Sequence, residues 1–449
     1  MRHRYFAPAF LLVCCAVLFV LWLPGLKYPV VSDTLLYSWL GESIWTTGTY
    51  MIDGVPHVKF LPVYPFLSYP LVVVFGLTPG MKLASLLSGM LVLVTAYALL
   101  KKMFSREVAL VSVTLLVFHH GFIAMTMLGA SDLLCTLFLL LSLLCYLYAE
   151  SNQRWYLLCG AFLGLSLLTR YNAIALFAFY PAYTLFARRK HFFSPFFWGG
   201  MFIGGGLFSL WFLRKAMLTG SPFSNDYTVE FSERSVGLIQ NAWTNFVYYI
   251  DPFKNILPIL LLSSLYEIIR RRGRPYFLTG AMASAWAIFL VWPVRNLRYA
   301  MPGYIILTGF GVAGLFSLLK RAGKFKIPLV VAIITGLLVT HGLAMCLYTY
   351  GECNAWFDRH IGLVPKNMGL TSEGFYGWHQ GREYINAHAE SGAIVGNEYP
   401  EPGIFRSDLR ISDECPSYKI LQRIPEGAEV LFQTEDSPVT YVVKLECGE

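Results

Sequence analysis

Apolar runs of bilayer length recur along the first three quarters of the chain, each flanked by a short basic cluster, and no soluble core of this size could bury them all. The runs cover residues 6–24, 81–100, 107–128, 132–149, 155–170, 171–187, 194–216, 255–270, 275–293, 299–319 and 327–349. A helix rises about 1.5 Å per residue, so ~20 residues cross the ~30 Å hydrocarbon layer. Only 14% of the 449 residues are charged. The sequence therefore predicts a mainly α, polytopic membrane bundle of about eleven spans.

The basic clusters set the expected orientation. Arg2 and Arg4, Lys101-Lys102 with Arg106, Arg154, Arg188-Arg189-Lys190, Arg270-Arg271-Arg272 with Arg274, and Lys320-Arg321 with Lys324 and Lys326 all fall on the cytoplasmic side if the N-terminus is inside. Arg2, His3 and Arg4 before an apolar run also describe a secretory signal. No small-x-small cleavage site precedes Pro24-Gly25, so a retained first helix is expected. The scheme further requires that "LPVYPFLSYPLVVVFGL", residues 61–77, does not cross. Pro62, Pro65 and Pro70 argue against a regular helix there, so the stretch reads as interfacial or re-entrant. A large first outer loop then runs from about 25 to 80. Segments 155–170 and 171–187 are short for two spans, which predicts broken or tilted helices around Thr169-Arg170-Tyr171-Asn172.

From Gly351 onward the balance reverses, with 16 acidic and 8 basic residues. This predicts two domains, a membrane domain over 1–350 and an extracytoplasmic tail over 351–449. The tail reads as a small α/β or α+β fold: a helix and then the strand "AIVG" in "GREYINAHAESGAIVGNEYPEPGIF", and a hairpin in "EVLFQTEDSPVTYVVKL". Of nine cysteines, Cys353, Cys415 and Cys447 lie in the tail, where one disulfide is possible and no metal-knuckle or redox spacing occurs. No nucleotide-binding glycine fingerprint follows a strand, and no nucleic-acid partner is expected. The Gly204-Gly205-Gly206 run lies in an apolar span, where close helix packing accounts for it. His119-His120 falls near the outer end of a span and reads as a polar packing site.

Polar residues converge on the outer face. Asp33 opens the amphipathic stretch "SDTLLYSWLGES" and Asp132 opens another apolar helix. Either can be a helix cap, with Ser32 as an alternative cap for the first. Together they can instead supply a proton acceptor and a ligand for a divalent metal cation. Arg295, Arg298 and Tyr299 stand at the outer end of a span, where arginines either snorkel or grip a lipid phosphate through the guanidinium fork. Arg170 and Lys59 are placed to reach the same anion. His57 can ligate a metal with Asp132 or be an ordinary surface histidine.

In their order, "SDTLLYSWLGESIWTTGTY", "FLPVYPFLSYPLVVVFG", the span opening at "ASD", "GLSLLTRYNAIAL" and "RNLRYAMPGYIIL" resemble the GT-C type membrane glycosyltransferases. The resemblance covers about residues 1–320 and is nearest to the protein-mannosyltransferase-like group (glycosyltransferase family 39) that includes lipid A aminoarabinose transferases. It implies transfer of a sugar, with inversion, from a polyprenyl-phosphate donor to an extracytoplasmic acceptor. Asp33 matches the first-loop catalytic aspartate and Asp132 the second acidic position often linked to a metal. Lys59, Arg295 and Arg298 are implied as donor-phosphate ligands. Relatives often carry an acidic residue before the first-loop prolines, where this chain has "HVKFLP". A bacterial inner membrane with the tail in the periplasm is the expected location. The competing classes are a transporter or lipid flippase, whose expected internal repeats are not evident, and a non-catalytic membrane scaffold that uses both aspartates only as caps.

Overall fold

The computed structural model describes residues 6–222 apart from 28, 29, 31, 32 and 53, then 237–250, 258–270, 275–292 and 297–320. In the C-terminal part it describes 384–396, 416–421, 429–433 and 441–445, with positions 332, 335–336, 381 and 410–411. All but three positions of the expected span 327–349, together with Arg295 and the three tail cysteines, fall outside the described residues. The chain divides into two compact units, Met1–Leu26 with Asp33–Pro365, and Lys27–Ser32 with Lys366–Glu449.

The first unit is helical. Its helices are α1 (Phe6–Trp22), α2 (Asp33–Thr47), α3 (Val63–Phe75), α4 (Leu77–Met103), α5 (Arg106–Val117), α6 (His120–Leu128), α7 (Asp132–Tyr148), α8 (Trp155–Leu167), α9 (Ile174–Ala187), α10 (Arg189–Phe192), α11 (Pro195–Thr219), α12 (Leu238–Ile250), α13 (Pro258–Arg270), α14 (Pro275–Val291) and α15 (Leu297–Leu319). A two-residue hairpin, β1 (Met51–Ile52) with β2 (Val55–Pro56), lies between α2 and α3. Among the described residues, α4, α11 and the Arg298–Leu319 part of α15 are long and apolar enough to cross a membrane. Five further helices are apolar but of 10–17 residues.

Two departures from the sequence reading have local causes. The single span expected over 107–128 is two helices meeting at about 60°. The break is set by His119, which takes extended backbone and whose Nδ1 accepts from Phe122 N–H as the α6 cap. The second departure is the Pro-rich stretch, which forms the regular helix α3. Pro65 sits in its first turn, where no intrahelical N–H bond is due, and Val63 N–H donates instead to Leu168 O at 3.2 Å. Thirteen residues make a helix of ~20 Å, too short to cross.

Pro70 lies in the α3 interior and has no N–H for the Phe66 carbonyl. That carbonyl accepts from Trp45 Nε1 at 2.9 Å, and the indole stacks on the Phe66 ring with centroids 5.1 Å apart. Trp45→Phe keeps the stack and deletes the donor, and is expected to cost ~0.5–1.5 kcal/mol. In a Pro70→Ala background, where the helix regains its own donor, the same change should cost clearly less. Equal shifts in thermal midpoint in both backgrounds would remove this role for Trp45.

Helices α8 and α11 cross on glycine. A Cβ on Gly160 would lie 1.8 Å from Gly200 O, one on Gly200 2.0 Å from Tyr156 O, and one on Gly204 2.6 Å from Gly160 O. These small residues at four-residue spacing let the two backbones touch. Of the Gly204-Gly205-Gly206 run, only Gly204 makes this contact. A Cβ on Gly205 would face the Phe177 ring, and Gly206 has open space.

Helix α12 inverts the usual pattern. Asn241, Asn245 and Tyr249 are buried, while Leu238, Ile239, Trp243, Phe246 and Val247 are exposed. Its polar stripe faces the protein and its apolar face looks outward, as in a helix that lies against lipid.

In the second unit, β3 (Ile394–Gly396), β4 (Arg410–Ile411), β5 (Tyr418–Leu421), β6 (Glu429–Gln433) and β7 (Tyr441–Lys444) form one sheet in the order β4-β3-β5-β7-β6. β3 pairs in parallel with β4 and β5, and β6 and β7 form the antiparallel hairpin read from the sequence. Val395, Val442 and Val443 are fully buried, and the helical turn at 384–388 buries Ile385.

Candidate active site

Four chain breaks meet at one end of the bundle: the start of α2, the α6–α7 corner, the break after α8 and the start of α15. Gly129 makes the corner with φ +68°, a backbone conformation that glycine adopts without strain. A Cβ there would lie 2.9 Å from Thr34 Cγ2, so the glycine also lets α2 seat on the corner. Thr34 Oγ1 donates to Leu128 O at 3.0 Å, and Tyr37 OH and Ser131 Oγ share a hydrogen bond of 3.0 Å. Residues 33, 34 and 37 lie on one helical face, so this seating fixes the direction in which Asp33 is presented.

Asp132 is buried, 4% exposed. It is not a cap: Ser131 holds the cap position, with no side-chain cap bond. Neither Asp132 oxygen makes a hydrogen bond, and the carboxylate instead forms an ion pair with Arg170 Nη1 at 3.2 Å. The same Nη1 donates to Ser131 Oγ at 3.2 Å. Arg170 comes from the extended residue between α8 and the 3₁₀ turn Tyr171–Ala173, the break expected from the short apolar segments. Its guanidinium also lies 5.3 Å over the Tyr299 ring.

Tyr299 is a shared platform. One face stacks on Phe289, centroids 5.2 Å apart, and the ring carries both Arg170 and Arg298, the latter at 5.2 Å. Arg298 Nη2 donates to Tyr299 OH at 3.3 Å and forms a loose ion pair with Asp33 Oδ2 at 3.9 Å. Asp33 is the accessible carboxylate of the group, its side chain 38% exposed. Burial pushes the Tyr37 phenol well above its usual pKa, with Arg170 pulling the other way and Asp33 reinforcing the rise. Tyr37 is thus a neutral hydrogen-bonding group within the field of both charges.

Of the residues singled out in the sequence, Asp33, Asp132, Arg170, Arg298 and Tyr299 come together here. Lys59 lies with its Nζ 5.7 Å over the Phe60 ring. His57 Nε2 accepts from Phe60 N–H at 3.0 Å, and its ring stacks on Phe60. That nitrogen is the acceptor of a turn, and Asp132 is held by Arg170. Among the described residues no group of three His, Cys, Asp or Glu side chains converges, so among them no set of three donors is gathered for the expected divalent cation.

Sequence reasoning missed Tyr37, four residues after Asp33 and so on its helical face, and Arg214. Arg214 donates from α11 to His57 O at 2.8 Å and Tyr50 O at 3.0 Å, which ties the first loop to the bundle. Beside it lies a cavity of about 840 Å³ whose walls include Tyr50, Pro62, Leu168, Leu210, Trp211 and Arg214. Trp211 Nε1 donates to Tyr171 OH at 2.9 Å, so the cavity wall is bonded to the residue next to Arg170.

The family model described as dolichyl-phosphate-mannose-protein mannosyltransferase matches residues 62–212. No curated protein sequence matches the chain significantly. The fold is similar to that of ArnT from Cupriavidus metallidurans in the apo state, with a TM-score of 0.64 at 16% identity over 99% of this chain and 98% of that one. The same protein bound to undecaprenyl phosphate gives 0.61 at 16% identity, over 98% and 97%. An Archaeoglobus fulgidus oligosaccharyltransferase tethered to an acceptor peptide gives 0.52 at 13% identity, over 88% of this chain and 62% of that one. The family match thus covers residues 62–212, and over nearly the whole of both chains the fold is similar to that of ArnT.

Proposed function

We propose that this protein is a membrane glycosyltransferase of the GT-C type, which moves a sugar from a polyprenyl-phosphate donor to an extracytoplasmic acceptor, with inversion at the anomeric carbon. The observation that carries the reading is the pairing of one accessible carboxylate, Asp33, with Arg298 at 3.9 Å, next to the buried Asp132–Arg170 pair. The acceptor hydroxyl attacks the anomeric carbon, its proton passes to Asp33, and the bond from that carbon to the phosphate oxygen breaks. The departing phosphate takes the electron pair, and Arg298 and Arg170 receive its charge. Lys59 and Arg295 are assigned to the same phosphate from their motif positions. Asp132 holds Arg170 in place and takes no proton.

The apolar cavity beside α11 supports a lipid-linked substrate. Leu210, Met217 and Leu218 line it and are also exposed, so hydrocarbon can pass between bilayer and cavity. We assign the protein to a bacterial inner membrane, with the Asp33 end of the bundle and the C-terminal unit facing the periplasm.

The test is reconstitution in lipid nanodiscs with polyprenyl-phosphate sugars. Mass spectrometry of the intact protein would identify any bound lipid, and product analysis would give the anomeric configuration. Transfer with inversion is expected for at least one donor. Failure with every polyprenyl-phosphate sugar, by a folded protein that also binds none of them, would remove the reading.

A further inference from the structure

Arg298 follows closely in sequence on the end of α14, and the last carbonyls of a helix have no intrahelical donor. A glycine cap is absent from "FLVWPVRN", and Pro293 has no N–H to offer. The donor comes from a different helix. Asn245 of α12, 1% exposed, points its Nδ2 at Phe289 O (2.9 Å), Leu290 O (3.0 Å) and Trp292 O (2.6 Å). An amide nitrogen has two hydrogens, so three carbonyls within range mean that at least one hydrogen is shared.

The residue so fixed is part of the site. Phe289, whose carbonyl Asn245 holds, stacks its ring on Tyr299 with planes 14° apart, and Tyr299 carries the guanidinium groups of Arg298 and Arg170. Two further bonds brace the same three helices. Trp286 Nε1 donates to Ala300 O at 3.0 Å, and Tyr304 OH donates to Tyr249 O.

We propose that Asn245 is a positioning residue for the reaction: by capping α14 it sets the Phe289–Tyr299 stack and, through it, the placement of the arginine that receives the donor phosphate. The inference rests on the proposed role of Arg298. Asn245 touches no substrate in this scheme.

The experiment is a comparison of wild type, Asn245→Ala, Arg298→Ala and the double variant in nanodiscs, each with its thermal midpoint measured. Asn245→Ala is expected to lower kcat/KM for the polyprenyl-phosphate sugar about tenfold, the effect of ~1.4 kcal/mol, with KM for the acceptor unchanged. The double variant should lose little beyond Arg298→Ala alone, because the asparagine acts through that arginine. Asn245→Ser, which keeps one donor, should recover part of the loss, and it replaces the alanine variant if that one does not fold. A folded Asn245→Ala within twofold of wild type, equal effects on donor and acceptor, or full additivity with Arg298→Ala would overturn the proposal. An inactive wild type, or an Arg298→Ala variant as active as wild type, would instead sink the reading of the site on which the proposal depends.

Discussion

Asparagine in place of Asp33 is expected to lower sugar transfer by about 10²–10⁴-fold, the range for loss of a general base. The protein should still fold and bind its donor lipid. The substitution is nearly isosteric, and α2 is held on the α6–α7 corner by Thr34 and Tyr37 rather than by Asp33. Asp33 is exposed and only loosely paired with Arg298, so its neutralisation strands no buried charge and leaves the arginine free for phosphate. Initial rates in nanodiscs, with bound lipid read by native mass spectrometry, separate the two effects. Transfer within threefold of wild type by the folded variant would exclude Asp33 as the base.

The second large effect falls on stability. Asp132 is buried and its partner Arg170 is mostly covered, so removal of either leaves the other's charge without its ion-pair partner in a poorly solvated place. Asp132→Leu and Arg170→Leu are each expected to cost ~3–5 kcal/mol. The double replacement removes both charges and should be less destabilised than either single, while remaining inactive because the guanidinium is gone. Denaturation of all four proteins in one detergent checks this. A double variant less stable than both singles would show that the pair contributes beyond mutual compensation.

Much of this arrangement is legible in the amino-acid sequence, and the exceptions share a cause. Asp33, Arg170 and Arg298 stand out because charges are scarce in an apolar chain and these three occur at breaks between runs. Which break lies next to which is a tertiary fact, so the pairing of Asp132 with Arg170 was not readable. Counting hydropathy over a window also discards the face on which a residue sits. This hid α12, whose buried side is Asn241, Asn245 and Tyr249, between the apolar runs 194–216 and 255–270. Prolines misled in α3 because the sequence does not reveal that Trp45 supplies the bond Pro70 withholds. His57 was readable as a metal ligand or as a surface histidine, and that its Nε2 accepts from the Phe60 amide is again a tertiary fact.

The glycine crossing of α8 and α11 bears on how the proposed lipid substrate would gain entry. Where backbone rests on backbone, as at Gly160 and Gly200, sliding one helix past the other would drive carbonyls into Cα atoms, and no side-chain rotamer can absorb the step. Shear is closed to this pair, which leaves hinge motion of other elements. The α11 wall of the cavity is therefore a fixed jamb. The first loop is fastened to that jamb by two hydrogen bonds from Arg214 to Tyr50 O and His57 O.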